Sequence, residues 1–354
     1  MMDGRNRPVA TWLYCGATGI IIQIILGGIT RLTGSGLSIT EWQPLLGVLP
    51  PMDEKSWQHS FEAYKQIAQF KLVNPHFILS DYKSIFFWEW LHRNWARTLG
   101  IVFIAPFFVL VYQKKIDKAL HIPLIILFLM GLLQGVIGWI MVKSGLNDTS
   151  TAVNDIRLAI HFITALILLC YTLWMAFNLS LTRLAIPNKP YLLRPTGIIF
   201  CLILLQMCYG ALMAGSKAAL AAPTWPDMNG FLIPPAMIHG DPASSYLLTV
   251  QFIHRLLAVL IALLICILYY RSSSWQTFPL LAYARKFSLA LICTQVILGI
   301  LTLLNSFNSS YQTFALLHQS TGILLLITLL FIFYSINIYR YPAILTGNNN
   351  QVIE

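Results

Sequence analysis

Four of the chain's eight histidines, His92, His161, His254 and His318, stand inside long apolar stretches. Ionisable side chains are costly in such surroundings and usually functional there. They form two pairs with matching neighbours: Leu91-His92-Arg93 recurs as Ile253-His254-Arg255, and His161-Phe162-Ile163-Thr164 recurs as His318-Gln319-Ser320-Thr321. One such histidine is equally well explained by a hydrogen bond to a neighbouring helix, but four at matched positions are not. Neutral imidazole is a common metal ligand, and two imidazoles facing across a four-helix bundle suit the axial positions of a flat haem iron. Zinc wants four ligands, and no cysteine or carboxylate pair accompanies the histidines. His59, His76, His121 and His239 fall in loops or near a helix end and read as solvated.

The neighbours of these histidines differ between the pairs. Glu89 stands three residues before His92, so a helix puts carboxylate and imidazole on one face. The residue three before His254 is Gln251, of similar shape but without proton chemistry near neutral pH. The first pair is therefore the reactive one, with Glu89 placed to exchange protons or stabilise a developing cation. The competing reading puts Glu89 in the headgroup zone, bonded to an indole. Arg93 and Arg255 suit haem propionates, because a guanidinium fork matches a carboxylate. Arg31 and Arg97 fit propionates or lipid headgroups equally.

The elements that position these residues are membrane spans. The chain has 354 residues, 57% apolar and only 10% charged, with a mean hydropathy of +0.69. That is too few charges to solvate a globular surface, which excludes soluble enzymes and nucleic-acid binders. Apolar stretches centre on 9–30, 91–112, 119–142, 156–181, 195–214, 247–270, 280–304 and 312–339, predicting eight helices. Much of the +10 charge falls on alternate connections: Arg5 and Arg7; Lys114, Lys115 and Lys118; Arg183, Lys189 and Arg194; Arg271, Arg285 and Lys286; Arg340. The positive-inside rule then puts both termini in the cytoplasm. All six cysteines fall in predicted helices, so no loop disulfide is expected.

The eight helices are a duplicated unit of four. Gln23 and Gly27 align with Gln206 and Gly210, Trp42 with Trp225, and Gln134 and Gly138 with Gln295 and Gly299. Four is even, so both copies enter the membrane in the same direction, as a parallel repeat. The expected architecture is an all-α integral membrane protein of two four-helix bundles, residues 1–190 and 191–354. In the long first loop Trp57, Phe61 and Tyr64 share one face of a short helix that either lies on the membrane surface, the preferred reading, or covers the substrate.

The stretch Gly27-Gly28-Ile29-Thr30-Arg31-Leu32-Thr33-Gly34-Ser35-Gly36, with Glu89-Trp90-Leu91-His92-Arg93, Ala222-Pro223-Thr224-Trp225-Pro226-Asp227-Met228-Asn229-Gly230, Gln251-Phe252-Ile253-His254-Arg255 and Leu317-His318, resembles the heme A synthase family. The resemblance runs over nearly the whole chain. It implies oxidation of a ring methyl of haem O to a formyl group through hydroxylated intermediates, giving haem A for terminal oxidases. It implies haem b on His254 and His318 in the C-terminal half, and the substrate haem between His92 and His161 in the N-terminal half. Glu89 matches the family's functional glutamate. Leu37 to Gly47 lacks the cysteine pair that some members carry, placing the chain in the branch without it. Delivery of haem O by haem O synthase and a bilayer setting follow, and a homo-oligomer is compatible. Met1 to Pro8 resembles neither a secretory signal nor a transit peptide, favouring a bacterial inner membrane over a mitochondrial one. A bis-histidine electron-transfer cytochrome and a haem carrier are the alternatives.

Overall fold

The computed structural model describes residues 7–41, 46–181, 190–273, 275 and 278–337. Trp42 and the basic residues Arg5, Arg183, Lys189 and Arg340 lie outside the described residues. The helices are α1 (Arg7–Leu32), α2 (Glu54–Lys65), α3 (Ala68–Leu72), α4 (Leu79–Tyr112), α5 (Lys118–Lys143), α6 (Asp155–Ser180), α7 (Leu193–Ser216), α8 (Ala236–His239), α9 (Pro242–Arg271), α10 (Pro279–Leu304) and α11 (Tyr311–Asn337). All but α2, α3 and α8 are long and apolar enough to cross a membrane, giving eight among the described residues. Helices satisfy their own backbone polar groups, as hydrocarbon surroundings require.

Two spans start earlier than hydropathy suggests: α4 at Leu79 and α9 at Pro242. The added turns of α4 carry Asp81, Lys83 and Glu89, which mask them in a hydropathy scan. Protein contacts stabilise them instead, beginning with Asp81, which accepts from the Ile78 N–H at 3.0 Å.

Helices α1, α6, α7 and α11 form the centre. α1 packs on α6 and α11, α7 packs on α6 and α11, and Leu166, Leu169, Ile265, Leu326 and Leu329 are fully buried around them. Outside this core α4 leans on α1, α5 on α6, α9 on α7, and α10 on α9 and α11. Hydrocarbon outside is as apolar as leucine, so close packing and polar links hold such helices together. Gln319 donates to the Ile24 carbonyl at 3.0 Å, and Arg31 to that of Ala214 at 2.9 Å. Gly215 lets α7 reach the start of α6: a Cβ there would lie 2.8 Å from Asp155 Cβ and 2.9 Å from its Cα. Gly215→Ala is therefore expected to cost about 1–3 kcal/mol, read as a lower Tm in detergent.

The aromatic face in the first long loop packs on protein. Asp53 caps α2 by accepting from the Ser56 N–H at 2.8 Å, and the aromatic face of α2 turns onto α4. Phe61 stacks on Tyr82 with centroids 5.1 Å apart, Tyr64 lies 5.3 Å from the same ring, and Trp57 meets Phe86 edge-on at 4.9 Å. Phe61, Tyr64 and Tyr82 are buried with Leu37. The aromatic periodicity identified the face correctly; its partner is protein rather than lipid because α4 extends far enough to meet it.

Candidate functional site

Each of the four histidines packs against a glycine on a neighbouring helix. A Cβ added at Gly27, Gly138 or Gly299 would lie 3.0 Å from Cε1 of His92, His161 or His318 respectively, and one at Gly210 would lie 3.3 Å from Cε1 of His254. All four glycines stand between one and two turns from the ends of α1, α5, α7 and α10. Glycine gives the ring its room, because a Cβ at any of the four positions would press on it.

One turn before each glycine is a glutamine. The amide nitrogens of Gln23, Gln206 and Gln295 lie 3.2, 3.4 and 3.4 Å from Nε2 of His92, His254 and His318. The Oε1 atoms of these three glutamines are buried without a partner, as are Nδ1 of His161 and His254. Gln134 differs, donating to the His161 carbonyl at 2.7 Å and accepting from Thr164. His318 Nδ1 lies 3.1 Å from the Gln295 carbonyl, and donation there makes Nε2 the lone-pair nitrogen.

This donor set fits haem. The rings of His254 and His318 lie with centroids 6.4 Å apart and planes inclined at 70°. Two imidazoles on opposite sides of one metal, each bonded at about 2 Å, have centroids roughly 6 Å apart. The orphaned glutamine oxygens mark polar space that the protein alone does not satisfy. Among the described residues no three His, Cys, Asp or Glu side chains converge as a metal cluster, and the six cysteines are free.

Glu89 is buried, and its surroundings are not the indole contact considered from sequence. Oε2 accepts from Ser38 Oγ at 2.7 Å and from the Ile39 N–H at 2.8 Å, while Oε1 pairs with Arg93 Nη2 at 2.5 Å. Arg93 Nη2 also donates to the Ile39 carbonyl at 3.1 Å. Ser38 is held in turn by Tyr82, whose hydroxyl donates to its carbonyl at 3.1 Å.

The offset that aligns Gln23 with Gln206 puts Ser38 on Ala221 and Ile39 on Ala222. The second half repeats the clasp there with reversed polarity. Gln251 Nε2 donates to the Ala222 carbonyl at 2.7 Å, and Arg255 Nη2 donates to the same oxygen at 2.9 Å. Arg255 also reaches the carbonyls of Asp227 at 2.7 Å and Thr224 at 2.9 Å. Those carbonyls are presented by a turn in which Asp227 Oδ1 accepts from Thr224 Oγ1 at 2.7 Å and from the Gly230 N–H at 3.0 Å. The two bonds, with Arg255 nearby, hold the Asp227 carboxyl below its ordinary value of 3.8. Its support of the turn is thus complete above that pH and is lost as pH falls through the lowered value.

The sequence singled out the histidines, Glu89 and both arginines. There the glycines and glutamines were only markers of duplication, and Ser38 did not stand out. The signal available for Ser38 was its alignment with Ala221, a hydroxyl present only in the half that carries the glutamate.

A family model described as cytochrome oxidase assembly protein, COX15-CtaA, matches residues 10–330. The chain is 40% identical over 308 residues to "Heme A synthase" of Methylorubrum populi, covering 85% of this chain and 80% of that one. It is 42% identical over 276 residues to the protein of that name from Parvibaculum lavamentivorans, covering 76% and 78%. For the one from Nitrosomonas eutropha the identity is 37% over 337 residues, 91% of each chain.

Proposed function

From the premise that the chain belongs to the COX15-CtaA family of cytochrome oxidase assembly proteins, we propose that it is a heme A synthase. It is a multi-pass membrane oxidoreductase that oxidises a ring methyl of haem O to the formyl group of haem A, which terminal oxidases require. The observation that carries this reading is Glu89 set against Gln251: two matched histidine pairs, with an ionisable group clasped beside only one.

The N-terminal half, residues 1–190, takes haem O between His92 and His161. The C-terminal half, residues 191–354, holds haem b between His254 and His318. Haem b, when bound, supplies a reversible one-electron couple. Glu89 lies one turn from His92, and its carboxylate is the group that exchanges a proton as the methyl carbon is oxidised. Ser38, the Ile39 N–H and Arg93 fix that carboxylate. Arg93 uses only Nη2 for its two protein bonds, and its remaining N–H groups suit a propionate; Arg255 plays the matching part beside haem b. The loop packed over Glu89 buries its carboxylate.

The arrangement of basic residues supports a parallel repeat with both termini cytoplasmic, in a bacterial inner membrane that receives haem O from haem O synthase. The test is expression in a bacterium that makes haem O but lacks its own enzyme for the next step. Haem A in the extract is expected; recovery of haem O and haem b alone would favour a cytochrome or carrier.

Ser38→Ala removes one charge-assisted bond from Glu89, a contribution of about 1.5–3 kcal/mol. Conversion is expected to fall about tenfold with the visible spectrum of bound haem b unchanged. An altered spectrum would instead assign Ser38 to folding of the loop.

A further inference from the structure

Glu89 is 2% exposed, so a proton that it takes up needs a way out. Its carboxylate meets Ser38 Oγ, the Ile39 N–H and Arg93. An amide and a guanidinium only donate, whereas a hydroxyl both donates and accepts. Of these three contacts Ser38 Oγ, 2.7 Å from Oε2, is the one that can take a proton from the carboxyl and give one up. Ser38 in turn meets Tyr82, whose hydroxyl lies 3.1 Å from the Ser38 carbonyl on one side and 2.5 Å from Ser60 Oγ on the other. Ser38 and Tyr82 are fully buried, while Ser60, on α2, is only partly buried and adjoins the exposed His59. A row of three hydroxyl side chains therefore runs from the buried carboxylate to the far side of α2.

The row belongs to the half that carries the glutamate. Ala221 stands in place of Ser38, and the offset that aligns His92 with His254 puts Ser244 in place of Tyr82. Nor has α2 a counterpart: between α7 and α9 the longest described helix is α8, of four residues, against twelve in α2. The aromatic packing of Phe61 and Tyr64 on Tyr82 is what brings Ser60 to the phenol.

We propose that Ser38, Tyr82 and Ser60 are a proton relay that carries the proton taken up by Glu89 to water beyond α2. The proposal rests on the reading that Glu89 exchanges a proton as the methyl is oxidised. The carboxyl O–H breaks as an O–H forms on Ser38. Ser38 gives its original proton to Tyr82, Tyr82 gives its own to Ser60, and Ser60 gives its own to water. Each hydroxyl ends with one proton, the carboxylate is regenerated, and no electrons move. The ionised carboxylate holds the Ser38 O–H towards itself. Once protonated, Glu89 donates to Ser38 Oγ instead, and the Ser38 O–H is free to turn to the phenol.

The test compares Ser60→Val with Ser60→Thr. Both side chains are β-branched and of similar size, so they place the same demands on α2 and differ by the hydroxyl. Membranes from a bacterium that makes haem O and carries only the variant are followed for conversion to haem A in H2O and in D2O. Ser60→Val is expected to convert about tenfold more slowly than wild type, with a larger solvent isotope effect because proton release has become limiting. Ser60→Thr should recover most of that loss. Tyr82→Phe keeps the ring stack and should slow conversion as Ser60→Val does. Purified, all three variants should bind haem O as wild type does in an absorbance titration.

Equal rates in Ser60→Val and Ser60→Thr, whether fast or slow, overturn the relay. So does Tyr82→Phe at the wild-type rate, or slow conversion with an unchanged isotope effect. If the wild-type chain makes no haem A, the reading beneath the relay falls with it. If the wild type makes haem A and Ser60→Val matches it, that reading stands and the relay alone is overturned.

Discussion

Glu89→Gln is expected to leave the fold and the bound haem intact while lowering conversion of haem O to haem A by about 100-fold or more. Gln251 is an amide beside Arg255 in the second half but donates to a carbonyl there, so survival of the fold at position 89 rests on the amide oxygen. At position 89 an amide oxygen can still accept from Ser38 and the Ile39 N–H, and Arg93 keeps the Ile39 carbonyl. What disappears is the negative charge that pairs with Arg93 and the ability to take a proton. Haem extraction from cells carrying only the variant, beside a spectrum of the purified protein, reads both quantities. Wild-type levels of haem A would remove Glu89 from the mechanism.

His254→Ala and His318→Ala are each expected to abolish the low-spin b-type spectrum, because the proposed haem b would be held by these two rings, whose centroids lie 6.4 Å apart. Neither change should unfold the chain. Each deletes a ring that rests on a glycine, and the central core of α1, α6, α7 and α11 makes no demand on it. The matching substitutions His92→Ala and His161→Ala should preserve that spectrum, since they lie in the other half. An unchanged b-type signal in His254→Ala or His318→Ala would sink the C-terminal assignment.

Much of this was legible in the chain itself, and the places where it was not have physical causes. Eight apolar stretches reported the spans because burial in lipid leaves a compositional trace. The first turns of α4 left none: their charges are satisfied by protein, as Glu89 is by Ser38, Ile39 and Arg93. The same limit applied to α2, whose aromatic face was visible while the identity of its cover was not. Duplication was the strongest signal. It matched the histidines, the glycines beneath them and the glutamines beside them before any contact was known. It could not say that Gly27 touches His92 or Gly138 touches His161, since the partners stand on different helices. Nor could it foresee that one backbone position, Ile39 in one copy and Ala222 in the other, would meet its partner through opposite poles of the peptide.

That inversion limits how the two copies can diverge. Glutamate and glutamine differ by one atom, and a single nucleotide change separates their codons, so the reactive residue looks easy to move between copies by drift. A carboxylate at position 251 would point an oxygen at the Ala222 carbonyl, where the amide now donates across 2.7 Å. The loop would have to refold, and Ala221 would have to gain a hydroxyl, before the second copy could mimic the first. Under the proposed division of labour, the clasp polarity makes an exchange of roles between the copies hard to reach by single substitutions.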